Sequence, residues 1–157
     1  MKKIKDYGIE HAGFIVNNLE EAMDHFKNYY EIDDFKIYNF KPNRSWYYGE
    51  EQPPGCHMKI AMGSFTDTDC MIELIEPVAG KSIHKDYLDE GNSGIHHLCF
   101  KIEDFPYWKN YFLEKGAEIL FEVETEDDVV GFRRGFFAKD AITGMIFEIK
   151  EIPFFRK

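Results

Sequence analysis

The sequence predicts an α+β fold: two βαβββ modules forming one cupped, mixed β-sheet. Two observations carry this. First, the chain repeats itself. Ile9-Glu10-His11-Ala12-Gly13-Phe14-Ile15-Val16 reads like Ile95-His96-His97-Leu98-Cys99-Phe100-Lys101-Ile102. Later, Met71-Ile72-Glu73-Leu74-Ile75-Glu76-Pro77 reads like Ile146-Phe147-Glu148-Ile149-Lys150-Glu151, with Pro153 close behind. Second, each copy runs through the same order of signals: a strand, a helix, then three strands.

The first strand covers about residues 8–16. Asn18 followed by Glu21 is a capping-box arrangement. It opens a helix over about 19–30, whose Leu19, Ala22, Met23, Phe26 and Tyr30 share one face. Phe35, Ile37, Tyr38 and Phe40 mark a strand over 33–40. Residues 41–55, with Pro42, Gly49, Pro53, Pro54 and Gly55, read as a long irregular segment. It is either a lid or a hairpin with an insertion. Strands at about 56–63 and 69–76 close the module. Ser82 caps a short linker helix through Leu88, which Gly91 ends. A strand over 95–102 opens the second module. Asp104 caps a helix through about Lys115, and Gly116 stops it. Strands follow at about 117–124, 131–138 and 144–151. The division is a first module at 1–80, a linker at 81–93 and a second module at 94–157.

Composition narrows the function. Hydrophobic residues make up 44 % of the 157 positions and aromatics 17 %, enough for a single core. The net charge of −10 disfavours nucleic acid and anionic membrane as partners. No apolar run approaches membrane-span length, and the charged start of the chain does not read as a signal peptide. Cys56, Cys70 and Cys99 form no paired motif, which fits small buried side chains in a reducing cytoplasm.

The repeat also pairs polar residues. His11 matches His97, and Glu73 matches Glu148, at offsets of 86 and 75 residues. Residues two apart in a strand share a face. Ala12, Phe14 and Val16, like Leu98, Phe100 and Ile102, form the helix-packed faces. The two histidines and two glutamates then point the other way, into a common concavity. Two imidazoles and two carboxylates converging there make a divalent metal site. His96, one residue from His97, is expected on the helix-packed side.

At these residues the chain resembles the vicinal-oxygen-chelate superfamily, the glyoxalase/bleomycin-resistance fold. Within it, it is most similar to the methylmalonyl-CoA epimerase and glyoxalase I-like branches. The resemblance covers nearly the whole chain. It rests on His11-Ala-Gly-Phe-Ile-Val, on residues 72–77, on the linker with Ser82-Ile83 and Tyr87-Leu88, on Gly94-Ile-His-His-Leu and on Thr143-Gly-Met-Ile-Phe-Glu. It implies a metal (Zn, Co, Ni or Mn) held by His11, Glu73, His97 and Glu148, with Glu148 as principal base and Glu73 as its counterpart. Glu73 stands where epimerases of this kind carry Gln and where glyoxalase I carries Glu. A non-ligand Glu of the epimerases aligns with Pro53 or Pro54, with Glu50 and Glu51 just upstream.

The implied activity is an isomerase, epimerase or lyase moving a proton next to a metal-bound carbonyl, on a small carbonyl compound or an acyl thioester. Alternatives are an Fe(II) extradiol-type dioxygenase and a metal-free drug-binding protein. His57, Lys59, Arg133 and Arg134 are the candidate substrate-binding residues. Trp46, Tyr47 and Tyr48 form either an aromatic lid or ordinary packing. A homodimer is expected, with the cup closed within one chain or across two.

Overall fold

The computed structural model describes residues 1–157. After a short 3₁₀ turn (Ile4–Asp6) come β1 (His11–Ile15), α1 (Leu19–Tyr30), β2 (Lys36–Phe40), β3 (Arg44–Tyr47), β4 (Glu50–Glu51), β5 (His57–Ser64) and β6 (Met71–Ala79). Helix α2 (Ile83–Asp89) leads to the second half: β7 (Ile95–Ile102), α3 (Phe105–Glu114), β8 (Glu118–Asp127), β9 (Gly131–Lys139) and β10 (Ile146–Glu151). The helix starts follow from their caps. Asn18 Oδ1 accepts from Glu21 N–H at 3.0 Å, Ser82 Oγ from Lys85 N–H at 3.1 Å, and Asp104 Oδ1 from Tyr107 N–H at 3.3 Å. No helix is long and apolar enough to cross a membrane.

All ten strands join one mixed sheet in the order β2-β5-β6-β1-β7-β10-β9-β8-β3-β4. Its centre is the antiparallel seam of β1 and β7, where Gly13 faces His97 and His11 faces Cys99. Parallel strands flank the seam on both sides, placing Glu73 opposite Gly13 and Glu148 opposite Cys99. The repeat is thus laid out about a pseudo-twofold axis through the seam.

Two cores lie on the convex side. Ala12, Phe14 and Val16 pack with Leu19, Met23 and Phe26 of α1. Phe100 and Ile102 pack with Phe105, Trp108 and Phe112 of α3. These are the faces that strand alternation assigned to the helices. The concave side has its own core of Ile15, Met58, Ile60, Ile75, Leu120, Phe121 and Phe137, and α2 adds Ile83.

Residues 41–55 are more regular than the sequence suggested. β3 and β4 form a hairpin through Tyr48 (φ 49°) and Gly49 (φ 81°), and β3 pairs with β8 of the other half. Two consecutive positive φ values match a type I′ turn, which usually carries Asn or Gly at the first position. Tyrosine there hid the hairpin from the sequence reading. The segment is not a free aromatic lid: Tyr47 packs on the concave core, and its hydroxyl donates to Asp86 of α2 at 2.5 Å.

Candidate metal centre

His11, Glu73, His97 and Glu148 come together on the concave face, all from one chain. His11 Nε2 lies 3.3 Å from His97 Nε2, 3.2 Å from Glu73 Oε1 and 3.2 Å from Glu148 Oε2. His97 Nε2 lies 3.3 Å from Glu73 Oε1 and 3.4 Å from Glu148 Oε2. Four ligands at about 2.0–2.1 Å around a tetrahedral ion sit about 3.3–3.4 Å apart. The donor set therefore has the dimensions of a metal cage. His11 and His97 are each 1 % exposed.

The electrostatics point the same way. Burial opposes the charge on each carboxylate, but the facing imidazoles outweigh it and hold Glu73 and Glu148 below the usual carboxylate range. Burial likewise opposes charge on the imidazoles, and the two carboxylates outweigh it, raising His11 and His97. The pocket thus holds two negative charges that require cationic compensation. One divalent ion supplies it and leaves both imidazoles neutral, as metal ligands must be.

The neighbours of the two histidines differ. His11 Nδ1 lies 3.2 Å from Glu10 Oε1, and Lys150 Nζ donates to the same oxygen at 2.9 Å. Burial opposes ionisation of Glu10, yet these contacts bring its pKa down to about 2. A carboxylate on the far nitrogen fixes the tautomer and makes the ring a better donor. His97 has no such carboxylate; its Nδ1 lies 2.9 Å from His96 Nδ1. His96 is therefore not on the α3-packed face. The β1–β7 register shifts at Gly13/Phe14, with His97 opposite Gly13 and Ile95 opposite Phe14. This bulge carries His96 towards α2, where its ring meets Tyr87 and His84 at centroid distances of 4.8 and 5.1 Å.

A cleft opens beside the four donors. Tyr38, Phe40, Met58, Ile60, Phe121 and Phe137 line its walls, and Glu73, Glu148, His84, Arg133 and Lys150 are its polar groups. Of the four candidate substrate residues, only Arg133 lies here. Arg134 points to the other face, where it makes a two-pronged pair with Glu151 at 2.6 and 2.9 Å. His57 bonds Asn39 at 2.8 Å, and Lys59 pairs with Glu76 at 3.8 Å. Both lie outside the cleft, which corrects their assignment. Residues opposite one another in antiparallel strands share a face. Met62 faces Glu73 and Ile60 faces Ile75, so the even-numbered residues of β5 line the cup. Glu51 is exposed and pairs with Arg44 at 2.8 Å, and Glu50 is exposed.

Sequence reasoning missed His84 and Lys150. Neither has a counterpart in the repeat that would have singled it out. Lys150, two residues from Glu148 on β10, was recoverable by strand alternation.

A cupped sheet of paired βαβββ halves with a His/Glu cage at its centre defines a class of proteins. The chain belongs to the Glyoxalase/Bleomycin resistance protein/Dioxygenase superfamily, whose family model matches residues 10–132. The solved structures include similar folds. Methylmalonyl-CoA epimerase from Mycobacterium tuberculosis is 17 % identical, with 94 % of this chain and 88 % of that one covered at a TM-score of 0.62. A variant of the Streptomyces coelicolor methylmalonyl-CoA epimerase, in complex with 2-nitronate-propionyl-CoA, is 18 % identical, with 95 % and 96 % covered at 0.63. A mutant of 4-hydroxymandelate synthase from Streptomyces coelicolor is 11 % identical at 0.58, with 95 % of this chain but only 50 % of that one covered. No curated protein sequence matches the chain.

Proposed function

We propose that the protein is a metal-dependent isomerase, epimerase or lyase that moves a proton next to a carbonyl group. The observation that carries this is the cage: two imidazole nitrogens and two carboxylate oxygens, each imidazole nitrogen 3.2–3.4 Å from the other and from both oxygens. His11, Glu73, His97 and Glu148 would hold the ion, whose contribution when bound is Lewis-acid polarisation of a carbonyl oxygen.

The chain's own residues supply the rest. Glu148 is the principal base, with Glu73 as its pseudo-symmetric counterpart. Both border the cleft, and Glu148 is the more accessible, its side chain 12 % exposed against 7 %. Acting as a base requires its carboxylate to loosen from the cage. Phe121, Phe137, Met58 and Ile60 exclude water from the reacting atoms, which strengthens each polar contact there. Arg133, paired with Asp127 at 3.3 Å, and Lys150, paired with Glu10 at 2.9 Å, are the cations of the cleft, and an exchange of partner would let them bind a substrate carboxylate or phosphate. An acyl thioester with a carboxylate on its acyl group meets both requirements. The complex of the Streptomyces coelicolor epimerase with 2-nitronate-propionyl-CoA supports the thioester reading.

The oxygenase reading is less favoured. A non-haem iron oxygenase uses two His and one carboxylate with open positions, whereas four protein donors converge here.

The test is elemental analysis of the purified protein, followed by hydrogen exchange in deuterated water. Acyl thioesters bearing a 2-methyl group and thiol adducts of 2-oxo-aldehydes are the two substrate panels. Zn, Co, Ni or Mn at one equivalent or more and metal-dependent exchange are expected. Bound iron with oxygen uptake, or no exchange in either panel, overturns the proposal.

A further inference from the structure

Three histidines form a second cluster beside the first. One nitrogen each from His84, His96 and His97 lies within 4.8 Å of the others. All three are buried, with exposures of 1, 5 and 1 %. Both nitrogens of His84 and Nε2 of His96 lack any hydrogen-bond partner. A buried polar group without a partner costs free energy, and three such atoms in two adjacent rings are uncommon. Their surroundings give no relief. His84 is edge-on to Phe137 and Phe121, at centroid distances of 4.8 and 5.8 Å. No side chain or backbone group bonds these atoms; each neutral ring offers one nitrogen lone pair, and a metal ion would take up that lone pair on each ring.

We propose that His84, His96 and Nδ1 of His97 form a second metal site, distinct from the His/Glu cage and sharing His97 with it. His97 would face the cage with Nε2 and the second ion with Nδ1. With the cage alone filled His97 would stay neutral; filling both sites would require its Nδ1 proton to pass to solvent. Three nitrogen donors without a carboxylate select Zn²⁺, Cu²⁺ or Ni²⁺ over oxygen-seeking Mg²⁺ or Ca²⁺. The rings need adjustment, since donors within 4.8 Å must settle about 3.3 Å apart for bonds of about 2 Å, and the 2.9 Å contact between His96 Nδ1 and His97 Nδ1 must give way.

Access supports the assignment. His96 borders a surface cavity of about 320 Å³ whose charged groups are Asp86, Glu90, Glu118 and Lys139, a net negative set. A hydrated ion with six waters occupies about 180 Å³ at about 30 Å³ per water, so the cavity admits one. The acidic mouth concentrates cations. The His/Glu cage opens instead on the cleft that holds Arg133 and Lys150. His84 borders that cleft as well, so the second site is reached from the surface cavity on its His96 side and adjoins the cleft on its His84 side.

The experiment is metal analysis of the full chain, stripped with chelator, reloaded with Zn²⁺ and desalted. Two equivalents are expected. Anomalous diffraction from crystals of the loaded wild type then locates the ions. One peak is expected within the His/Glu cage and a second against His84 and His96. His84→Phe, which preserves the ring packing, should bind one equivalent. A Glu73→Ala/Glu148→Ala double variant should keep one equivalent, which adding His84→Phe removes. A wild type with a single peak in the His/Glu cage overturns the second site and leaves the first standing. A single peak against His84 and His96 supports the second site and overturns the cage. Two equivalents with no peak at His84, or unaffected by His84→Phe, indicate surface zinc and overturn the second site.

Discussion

Gly13→Ala tests the cage without touching any of its donors. A Cβ on Gly13 would lie 2.3 Å from Cε1 and 2.4 Å from Nε2 of His97. Ordinary contact begins near 3.5 Å, so the imidazole would have to retreat by about 1 Å. Metal–ligand distances tolerate only about 0.2 Å, so Nε2 would leave its place in the cage. Losing a ligand outright should exceed the 10–100-fold affinity loss typical of a disturbed supporting residue, so at least about 100-fold is expected. Stability should fall by about 1–3 kcal/mol, the usual cost of overpacking. The assay is competition against a chromogenic chelator, with thermal unfolding in parallel. Gly63→Ala is the control, because its Cβ would crowd Ile32 and Phe35 at 2.7 Å, under α1 and away from the cage. It should lower stability and leave metal affinity unchanged. In a His97→Ala background, Gly13→Ala should have little further effect on metal binding, because the two changes act through one contact. Wild-type affinity in Gly13→Ala would refute the reasoning, since His97 could not then be a ligand in the position described.

Other outcomes follow from the same geometry. Glu148→Gln keeps an oxygen at the cage and removes a proton acceptor; a metal-loaded variant should lose exchange by roughly 10²-fold, and full exchange would take the role of base from Glu148. The two arginines should separate cleanly. Arg134→Ala strands Glu151, which is 6 % exposed, and should cost about 2–4 kcal/mol in denaturant unfolding; Arg133→Ala should leave stability nearly unchanged and raise KM for a carboxylate-bearing substrate. Acid lability of the chelator-treated protein should begin above the carboxylate range. Burial, reinforced by His97, brings the His84 pKa down to about 3, and burial, reinforced by His84, brings that of His96 to about 2. Between pH 6.5 and 4.5 the unfolded chain then binds protons at these two positions and the folded chain does not. Stability therefore falls as pH falls, approaching about 1.4 kcal/mol per pH unit for each ring. The raised His11 and His97 oppose this slope near pH 6.5, where the unfolded rings are half protonated, and add none below about pH 5.5, where they are protonated in both states. His84→Phe should remove about half of the slope in pH-dependent unfolding, and an unchanged slope would contradict a buried neutral His84.

Much of this arrangement was legible in the sequence, because it depends on local periodicity and on the repeat. Helix α1 follows its pattern of apolar residues and its Asn18 cap. Which residues of β1, β6 and β10 share a face follows from alternation, a consequence of covalent geometry that holds whatever the strand pairs with. The repeat then paired His11 with His97 and Glu73 with Glu148, and the structure brings these four together.

Other features depended on partners far along the chain. Whether His57 and Lys59 or Met58 and Ile60 face the cup is decided by pairing with β6, because alternation fixes which residues share a face but not which face is inside. The same ambiguity attached to Arg133 and Arg134 and was settled by Glu151 on β10. The β3–β4 hairpin owes its place to an edge of β8, a strand from the other half. His84 and His96 meet only because α2 packs on the concave side while a bulge in β7 turns His96 towards it. The sequence by itself determined the order of elements, the β3–β4 hairpin excepted, and the four-residue signature, written in local spacing and in the repeat. The tertiary structure alone decided which neighbours surround that signature, because contacts between distant segments arise from packing that no local pattern encodes.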